Sequence, residues 1–239
     1  MPKPKKAARR RGPNVAGDRA RDNLLATAIS MFARHGYAGV STRELTTQAG
    51  VNQASIYYYF RTKREIYVAA VIRCFSAVSA ERLTMLDALE ANAGATLEDV
   101  LRAFVAPHVR YVTRAEGHDY LRIFATFSAT PEEILVELYR DHFGPVRQRF
   151  IAAAHRVEPE LDDEALHRSF GIVANMIVSA LFDHGYRATS GRAPYDVDVD
   201  RFIEMLVAYN ATGMRALKTL RGTQAPRRNR KPAARRARA

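Results

Sequence analysis

The sequence predicts an all-α protein in which a small N-terminal three-helix domain with a helix-turn-helix precedes a larger C-terminal helical domain. Two observations lead to this prediction. Apolar side chains recur at three- and four-residue spacing through most of residues 15–220, which is the period of an amphipathic helix, and no stretch alternates apolar and polar residues as a half-buried strand does. The 239 residues, of which 47% are hydrophobic, are enough to build a buried core.

Capping signals divide the first 91 residues into four predicted helices. Ser41 with Glu44, and Thr62 with Glu65, have the spacing of a capping box, in which each side chain satisfies a free N–H group at the start of a helix. Asn52 can cap a further helix. The predicted helices span about 18–35, 41–49, 53–60 and 62–91.

The helical pattern continues to residue 220. Thr96 opens a predicted helix in which Pro107 should introduce a kink, because proline lacks the N–H group and crowds the preceding turn. Thr130 followed by Pro131 predicts a helix start with proline as the first helical residue, and Gly144 with the next proline should perturb that helix. The predicted helices span about 96–116, 119–128, 130–156, 163–184 and 198–220.

The formal net charge of +12 is distributed unevenly. Residues 1–14 carry +6 and residues 221–239 carry +8, whereas residues 15–65 carry +3 and residues 66–220 carry −5. Both tails contain almost no apolar residue larger than alanine, so we expect them to be disordered. The charge favours an anionic partner, such as nucleic acid or an acidic membrane surface. A single cysteine, Cys74, excludes an intramolecular disulfide framework.

The segment 41–63 is predicted to carry the function. A short capped helix, a turn at Gly50 and a second short helix form a helix-turn-helix pattern. The second helix contains consecutive aromatic residues, which cannot all face inward at about 100° per residue. Ile56 and Phe60 form the buried stripe, which leaves Tyr58 on the exposed face.

The exposed face of this second helix suits DNA. Tyrosine offers an apolar ring and a hydroxyl group, while helix N–H groups and the nearby Arg43 and Lys63 can hold phosphates. The small side chains of Ala54 and Ser55 would let the helix approach base edges closely in the major groove. The alternative is that the tyrosines only cover the junction with the long fourth helix.

Residues 18–66 resemble the N-terminal domain of the TetR family of tetracycline-repressor-like regulators. The matching residues include Gly36-Tyr37, Ser41-Thr42, Ala49-Gly50-Val51, Ile56-Tyr57-Tyr58-Tyr59-Phe60, Lys63 and Glu65. This resemblance implies a homodimer that binds double-stranded DNA at a palindromic operator, with a C-terminal domain that dimerises and binds an effector. Thr46, Asn52 and Ala54 stand where the family more often has Ala, Ser and Gly.

Position by position, the resemblance assigns DNA contacts to the helix-turn-helix. Thr42 and Lys63 would hold phosphate, and Arg43 would read guanine. Gln53 and Ser55 would meet bases or phosphates, and the three tyrosines would line the groove. The predicted DNA-binding residues are Thr42, Arg43, Gln53, Ala54, Ser55, Tyr57, Tyr58, Tyr59 and Lys63.

The C-terminal part is expected to hold a dimer face and an effector pocket. Residues 124–156 and 161–184 faintly resemble the regulatory domain of fatty-acid-responsive members. Apolar residues of the last two helices suit a four-helix dimer interface, and equally the chain's own core. They are Phe170, Val173, Ala174, Ile177, Leu181, Phe202, Met205, Leu206, Tyr209 and Gly213.

The effector pocket would lie between the middle helices, where bulky apolar residues are interspersed with a few polar ones. The candidate lining residues, each of which is also a normal core residue, are Met85, Phe104, His108, Tyr111, Phe124, Phe127 and Met176. The acidic balance of this part argues against a highly anionic effector, unless a local arginine overrides it.

The sequence therefore predicts a ligand-responsive dimeric repressor, cytoplasmic and nucleoid-associated, released from its operator by a small, largely apolar effector. We expect no cofactor, metal or membrane partner, and no enzyme, because the sequence contains no recognisable catalytic or phosphate-binding motif. The alternative is a sequence-nonspecific architectural DNA-binding protein that acts through its basic tails. The predicted division is a 1–14 tail, a 15–62 DNA-binding domain, a 63–220 effector-binding and dimerisation domain and a 221–239 tail.

Overall fold

The computed structural model describes residues 15–114, 117–181, 189–191 and 198–220, and in these ranges it is helical without a strand, as predicted. The helices span Val15–His35 (α1), Thr42–Ala49 (α2), Ala54–Tyr59 (α3), Lys63–Glu90 (α4), Leu97–Val112 (α5), Gly117–Ala125 (α6), Glu132–Leu138 (α7), Gly144–Val157 (α8), Asp163–Leu181 (α9) and Val199–Leu220 (α10). Both basic tails and the predicted helix ends at Glu116 and His184 lie outside the described residues.

One of the two predicted capping boxes forms completely. The Ser41 hydroxyl accepts a hydrogen bond from the Glu44 N–H, and the Glu44 carboxylate accepts one from the Ser41 N–H at 2.8 Å. Thr62 also caps its helix by accepting from the Glu65 N–H at 3.1 Å. The reciprocal bond predicted for this second box does not form, because the Thr62 N–H donates to the carbonyl of Phe60 instead.

Several helix boundaries differ from the prediction; α1, for example, begins at Val15 rather than near residue 18, and α6 spans Gly117–Ala125 rather than 119–128. α3 begins at Ala54, whose N–H is accepted by the Asn52 side chain at 3.0 Å, so the third helix starts one residue later than predicted. Pro131 precedes α7 with ψ of 136°, an extended value, and therefore lies outside the helix rather than at its first position. α5 continues through Pro107 and ends at Val112, before the predicted end at residue 116. These bounds do not test the kink expected at Pro107, which stays a prediction.

The helix predicted over residues 130–156 is divided in two. α7 is followed directly by a π-helical turn, Tyr139–Phe143, and α8 then begins at Gly144. The Gly144 N–H bonds to the carbonyl of Tyr139, five residues back, and the next residue, Pro145, has no N–H to offer the preceding turn. The perturbation predicted near this glycine and proline is confirmed.

A single hydrophobic core runs through the described helices, from Leu24 in α1 to Met214 in α10. α1 packs against α2, α4 and α6, while α5 lies between α4, α8, α9 and α10. α4 therefore belongs to both the N-terminal and the C-terminal packing. Within the described ranges, no helix combines the length and apolar character that crossing a membrane requires.

Half of the predicted dimer residues belong to the chain's own core, because α9 packs against α5, α8 and α10 within the chain. The residues that the sequence assigned equally to a dimer face or to the chain's own core, and that are buried in the core, are Phe170, Val173, Ile177, Leu181 and Leu206. Ala174 and Phe202 are half-buried. Met205, Tyr209 and Gly213 are exposed on α10, with 56% and 68% of Met205 and Tyr209 accessible to solvent.

Candidate nucleic-acid interface and interior cavity

α3 presents the face that the sequence predicts. Ile56 and Phe60 are buried, whereas Tyr57 and Tyr58 are 65% and 76% exposed. Tyr59 is half-buried, and its ring meets the Tyr58 ring edge-on with centroids 4.9 Å apart. Tyr57 and Tyr58 therefore stand out from the helix, whereas Tyr59 packs partly against the core, so two of the three phenol groups face solvent.

The small and polar residues predicted to meet DNA lie at the starts of α2 and α3, two helices that pack against each other. Gln53 and Ala54 are exposed at the start of α3, and Ser55 is half-buried. Arg43 is exposed near the start of α2, and no described carboxylate lies within 4.0 Å of it. Its neighbour Thr42 is half-buried. The structure therefore leaves the guanidinium of Arg43 available to an anionic partner.

The turn between α3 and α4 adds basic groups to this surface. The Lys63 ammonium lies 4.5 Å from the centre of the Tyr37 ring, where burial lowers the pKa of Lys63 and the nearby Glu44 carboxylate opposes that shift. Arg61 is exposed and has φ of +57°, a left-handed conformation that is unfavourable for a residue with a Cβ atom. The sequence prediction did not include Arg61; its position directly after the last buried residue of a short helix was the available signal.

α4 connects this surface to the rest of the protein through Tyr67. The Tyr67 ring is buried and meets the rings of Phe32 and Tyr37 edge-on, with centroids 4.9 and 5.0 Å away. Its hydroxyl group lies 2.8 Å from that of Thr130, just before α7, and burial raises the pKa of Tyr67. Tyr67 thus joins α4 to α1 and to Thr130, just before α7.

A cavity of about 50 Å³ lies among the middle helices. Its walls include four phenylalanine rings, from Phe75, Phe104, Phe124 and Phe143, and two arginines, Arg82 and Arg147. The volume exceeds the 10–15 Å³ or so that one water molecule needs, and it is far below the 300 Å³ or more of a typical drug-sized site.

Two of the seven predicted pocket residues, Phe104 and Phe124, line this cavity. His108 and Phe127 are buried beside it: His108 bonds to Arg82, and the Phe127 ring stacks on the ring of Phe124 at 5.3 Å. The structure does not bring the remaining three, Met85, Tyr111 and Met176, to its wall. Met176 instead borders a shallow groove on the outside of α9.

Arg82 is a buried polar residue in the wall of the cavity, and the sequence prediction missed it. The Arg82 side chain is buried, with its Nε donating to the Phe104 carbonyl at 2.7 Å and its Nη2 donating to His108 Nδ1 at 2.9 Å. The guanidinium also stacks on the Phe104 ring at 3.9 Å. Val78 and Leu86, four residues to either side on α4, are buried, so the helical spacing placed Arg82 on the buried face.

His108 completes a hydrogen-bonded chain between α4 and α6. Because Nδ1 accepts from Arg82, Nε2 carries the ring proton and donates to the hydroxyl oxygen of Tyr120 at 2.8 Å. Burial, and secondarily the charge of Arg82, hold the pKa of His108 well below its usual value, so the ring is neutral. Burial also lowers the pKa of Arg82 to about 10, which leaves the guanidinium charged at neutral pH.

Cys74 is buried, and burial raises the pKa of its thiol to about 12, so little thiolate is present at neutral pH. In the part of the chain that the structure describes, no group of three His, Cys, Asp or Glu side chains is placed to hold a metal ion.

Two family profiles match the chain. Residues 24–70 match the family described as bacterial regulatory proteins, tetR family. Residues 102–213 match the family described as tetracyclin repressor-like, C-terminal domain. The first match contains α2 and α3, and the second contains the helices from most of α5 to the middle of α10.

Curated relatives match over part of their length. The biofilm operon icaADBC HTH-type negative transcriptional regulator IcaR of Staphylococcus aureus is 26% identical over 119 residues, which are 50% of this chain and 59% of IcaR. The HTH-type transcriptional repressor NicS of Pseudomonas putida is 30% identical over 110 residues, which are 46% of this chain and 48% of NicS. The chain thus spans about half of the length of these relatives.

Solved structures share the fold over a larger part of the chain. The fatty acid degradation regulator FadR from Bacillus halodurans superposes with a TM-score of 0.58 at 16% identity, covering 87% of this chain and 99% of FadR. A TetR-family transcriptional regulator from Bordetella parapertussis 12822 gives 0.55 at 17% identity, with coverage of 83% and 95%. Identities this low establish a common fold and no more.

Proposed function

Since the chain belongs to the TetR family of bacterial transcriptional regulators, we propose that it is a dimeric repressor that binds a palindromic operator and leaves it when a small effector binds. Two exposed features carry this proposal: Tyr57 and Tyr58 on α3, and Arg43 on α2, for which the described residues supply no ion-pair partner. IcaR and NicS are both named as negative regulators or repressors, which supports the direction of control. A cytoplasmic location follows from this role.

We propose that residues 15–62 read the DNA and that residues 63–220 bind effector and partner. In the reading part, α3 would enter the major groove with Ala54 and Ser55 closest to the bases. Arg43 would read a base edge, and Lys63 would hold a phosphate beside the groove. Arg61, which lies in the exposed turn two residues before Lys63, joins them as a further phosphate contact.

The proposed dimer face is the outer side of α9 and α10. Its apolar residues are Ile172, Met205 and Tyr209, which are large and mostly exposed in the single chain. Two copies of a helix pair with such a surface can pack as a four-helix bundle about a two-fold axis. Tyr209→Asp should shift the dimer toward monomer in sedimentation velocity, while Val136→Asp, at an exposed apolar residue of α7, should not.

Two helices can transmit effector binding to α3. α4 carries Arg82 at the cavity and begins at Lys63, directly after the α3–α4 turn. α6 carries Phe124 at the cavity and packs against α1. Movement of either helix would change the separation of the two recognition helices in a dimer, which must match grooves about 34–36 Å apart.

A footprint on the DNA flanking the protein's own gene tests the proposal. We expect protection of a palindrome whose half-sites are about one helical turn, or 10 base pairs, apart. The footprinted duplex should bind at least tenfold more tightly than a scrambled duplex of the same composition, since specific sites usually exceed nonspecific ones by about a thousandfold or more. Equal affinity for the two duplexes would contradict the proposal.

Removal of residues 1–14 and 222–239 tests the architectural alternative. For a repressor, the truncated protein should lose affinity and keep its preference for the operator. Each lost phosphate contact should also reduce the slope of log affinity against log salt by about 0.9. Loss of all DNA binding on truncation would favour the architectural function.

A further inference from the structure

We infer that the cavity binds an organic carboxylate, with the anionic group on Arg82 and an apolar or aromatic body among the surrounding phenylalanine rings. The carboxylate's role as effector rests on the proposed function, whereas its binding to the cavity does not depend on DNA. The balance of charge in residues 66–220, which is −5, would by itself disfavour such a ligand. The local arrangement around Arg82 reverses that expectation.

Arg82 is a buried cation for which the described residues supply no counter-ion. The residue is 8% exposed, and no described carboxylate lies within 4.0 Å of it. Its two hydrogen-bond partners, the Phe104 carbonyl and neutral His108, carry no negative charge. Buried charges in proteins are normally paired, so this site lacks the anion that burial of a guanidinium calls for.

The guanidinium also has donors left for a ligand. Nε and Nη2 are engaged by Phe104 and His108, and in the described part of the chain no hydrogen bond uses Nη1. The stacking of Phe104 on the guanidinium plane and the hydrogen bond from His108 to Tyr120 fix the orientation of this group. A planar, fixed guanidinium that faces a cavity is the arrangement that carboxylates bind best.

The rest of the cavity wall fits the same ligand. Arg147 contributes a second cation without a described ion-pair partner, and the charge of Arg147 is one of the influences that lower the pKa of Arg82. No acidic residue lines the cavity within the described ranges. The Phe75 ring lies 5.7 Å from the Phe124 ring and 4.9 Å from the Phe143 ring, centroid to centroid, and the three offer an apolar surface for the body of the ligand.

The size of the cavity suggests how such a ligand would act. A volume of about 50 Å³ accepts a carboxylate group but not a longer body, so a larger ligand must displace rings. Phe143 belongs to the π-helical turn between α7 and α8, a kind of segment often found at functional sites, and Phe124 belongs to α6, which packs against α1. Ring displacement would therefore move the helix next to the reading part.

Titration calorimetry on the full-length protein without DNA tests this inference. The probes are 4-phenylbutyrate and decanoate, each compared with its neutral primary amide of nearly the same shape. We expect each carboxylate to bind about tenfold to a hundredfold more tightly than its amide, the range of charge-assisted over neutral hydrogen bonds. Equal affinities of acid and amide, or no binding of either acid at 5 mM, would overturn the inference.

A matched pair of variants locates the effect. Arg82→Met keeps the bulk of the side chain and removes a buried charge, so we expect it to fold and to lose the preference for acid over amide. Arg140→Met, at an exposed arginine that pairs with Asp141 on the π-helical turn, should keep the preference. An unchanged preference in a folded Arg82→Met would overturn the inference, and the wild-type comparison decides it if that variant does not fold.

The same probes separate failure here from failure of the proposed function. If the footprinted operator binds specifically but neither carboxylate binds, the repressor proposal stands and the carboxylate site is wrong. If a carboxylate binds through Arg82 but the operator preference is absent, the carboxylate site stands and the repressor proposal is wrong. For the carboxylate to act as the effector of the repressor, 4-phenylbutyrate or decanoate must also weaken operator binding at least severalfold in fluorescence anisotropy.

Discussion

The N-terminal helices α1–α3 and the C-terminal helices α4–α10 place their functional polar groups in opposite environments. In α1–α3 the candidate DNA-binding groups Arg43, Tyr57 and Tyr58 are exposed, and the core beneath them is apolar. In α4–α10 the candidate effector-binding groups Arg82 and His108 are buried within the core itself. A DNA surface must be free before its partner arrives, whereas a small-molecule site must be enclosed.

This difference implies a difference in how stability and function are coupled. Exposed residues can be changed with little effect on folding, because they lose few contacts with the rest of the chain. Buried polar residues share hydrogen bonds, so that removing one leaves its partner without a bond in a region that excludes water. Mutations should therefore separate stability from function in α1–α3 and affect both in α4–α10.

The largest expected contrast lies within α3. Ile56→Ala removes buried side-chain volume and should lower the free energy of unfolding by about 2–5 kcal/mol. Tyr58→Ala should change it by no more than about 0.5 kcal/mol, because the ring is exposed, yet it should weaken operator binding by about 1–3 kcal/mol. Urea unfolding and fluorescence anisotropy with operator DNA measure the two effects.

Ile56→Val is the matched control for this contrast and should lower stability by only about 0.5–1.5 kcal/mol. If Tyr58→Ala were to destabilise the protein as much as Ile56→Ala, the tyrosine would be a packing residue after all. The difference between the two regions would then not hold for α3.

The sequence predicted α1–α3 better than the C-terminal site, for a physical reason. Local signals determine the structure of α1–α3. The Ser41 cap, the turn at Gly50 and the buried pair Ile56 and Phe60 are set by spacing along the chain. The pairing of Arg82 with Phe104 and His108 joins residues 22 and 26 positions apart, which periodicity cannot relate.

Because periodicity cannot identify contacts between distant residues, it also left open which residues of the predicted dimer face are buried within the chain. Helical periodicity identified the apolar stripe of α9 that contains Phe170 and Val173, and the structure buries both. It could not tell whether that stripe meets the same chain or a second copy, because either neighbour provides an equally apolar environment. The exposed residues Met205 and Tyr209 were distinguishable only once α10 had been packed against α5 and α9.

The next effect concerns the buried hydrogen-bonded chain. Tyr120→Phe removes the acceptor of the His108 ring proton and should lower the free energy of unfolding by about 1–3 kcal/mol. Tyr209→Phe removes a hydroxyl group from an exposed ring on α10 and should leave stability unchanged within about 0.5 kcal/mol. Urea unfolding at a fixed protomer concentration compares the two variants. Equal, small effects would mean that the hydrogen bond between His108 and Tyr120 adds no stability.

A smaller effect should appear as pH dependence. The folded pKa of His108 lies well below the unfolded value of 6.5, so below that pH the unfolded chain binds a proton that the folded chain does not. Stability is therefore complete above pH 6.5 and should fall by up to about 1.4 kcal/mol per pH unit below it. Thermal unfolding at pH 7.5, 6.5 and 5.5 measures this loss.

His108→Gln should remove this part of the pH dependence, because glutamine does not titrate in that range. The wild-type protein is the reference, and the slope between pH 6.5 and 5.5 should be smaller in His108→Gln than in the wild type. A slope that persists in His108→Gln would show that His108 is not the group held neutral by burial.

The smallest expected effect tests strain on the DNA-facing surface. Arg61 has φ of +57°, which glycine adopts without strain and alanine does not. Arg61→Gly should therefore be more stable than Arg61→Ala by about 0.5–1 kcal/mol, after the greater freedom of glycine in the unfolded chain is taken into account. Both variants lose the same charge and should weaken operator binding equally. If alanine were as stable as glycine, the left-handed backbone at residue 61 would carry no strain that a Cβ atom adds.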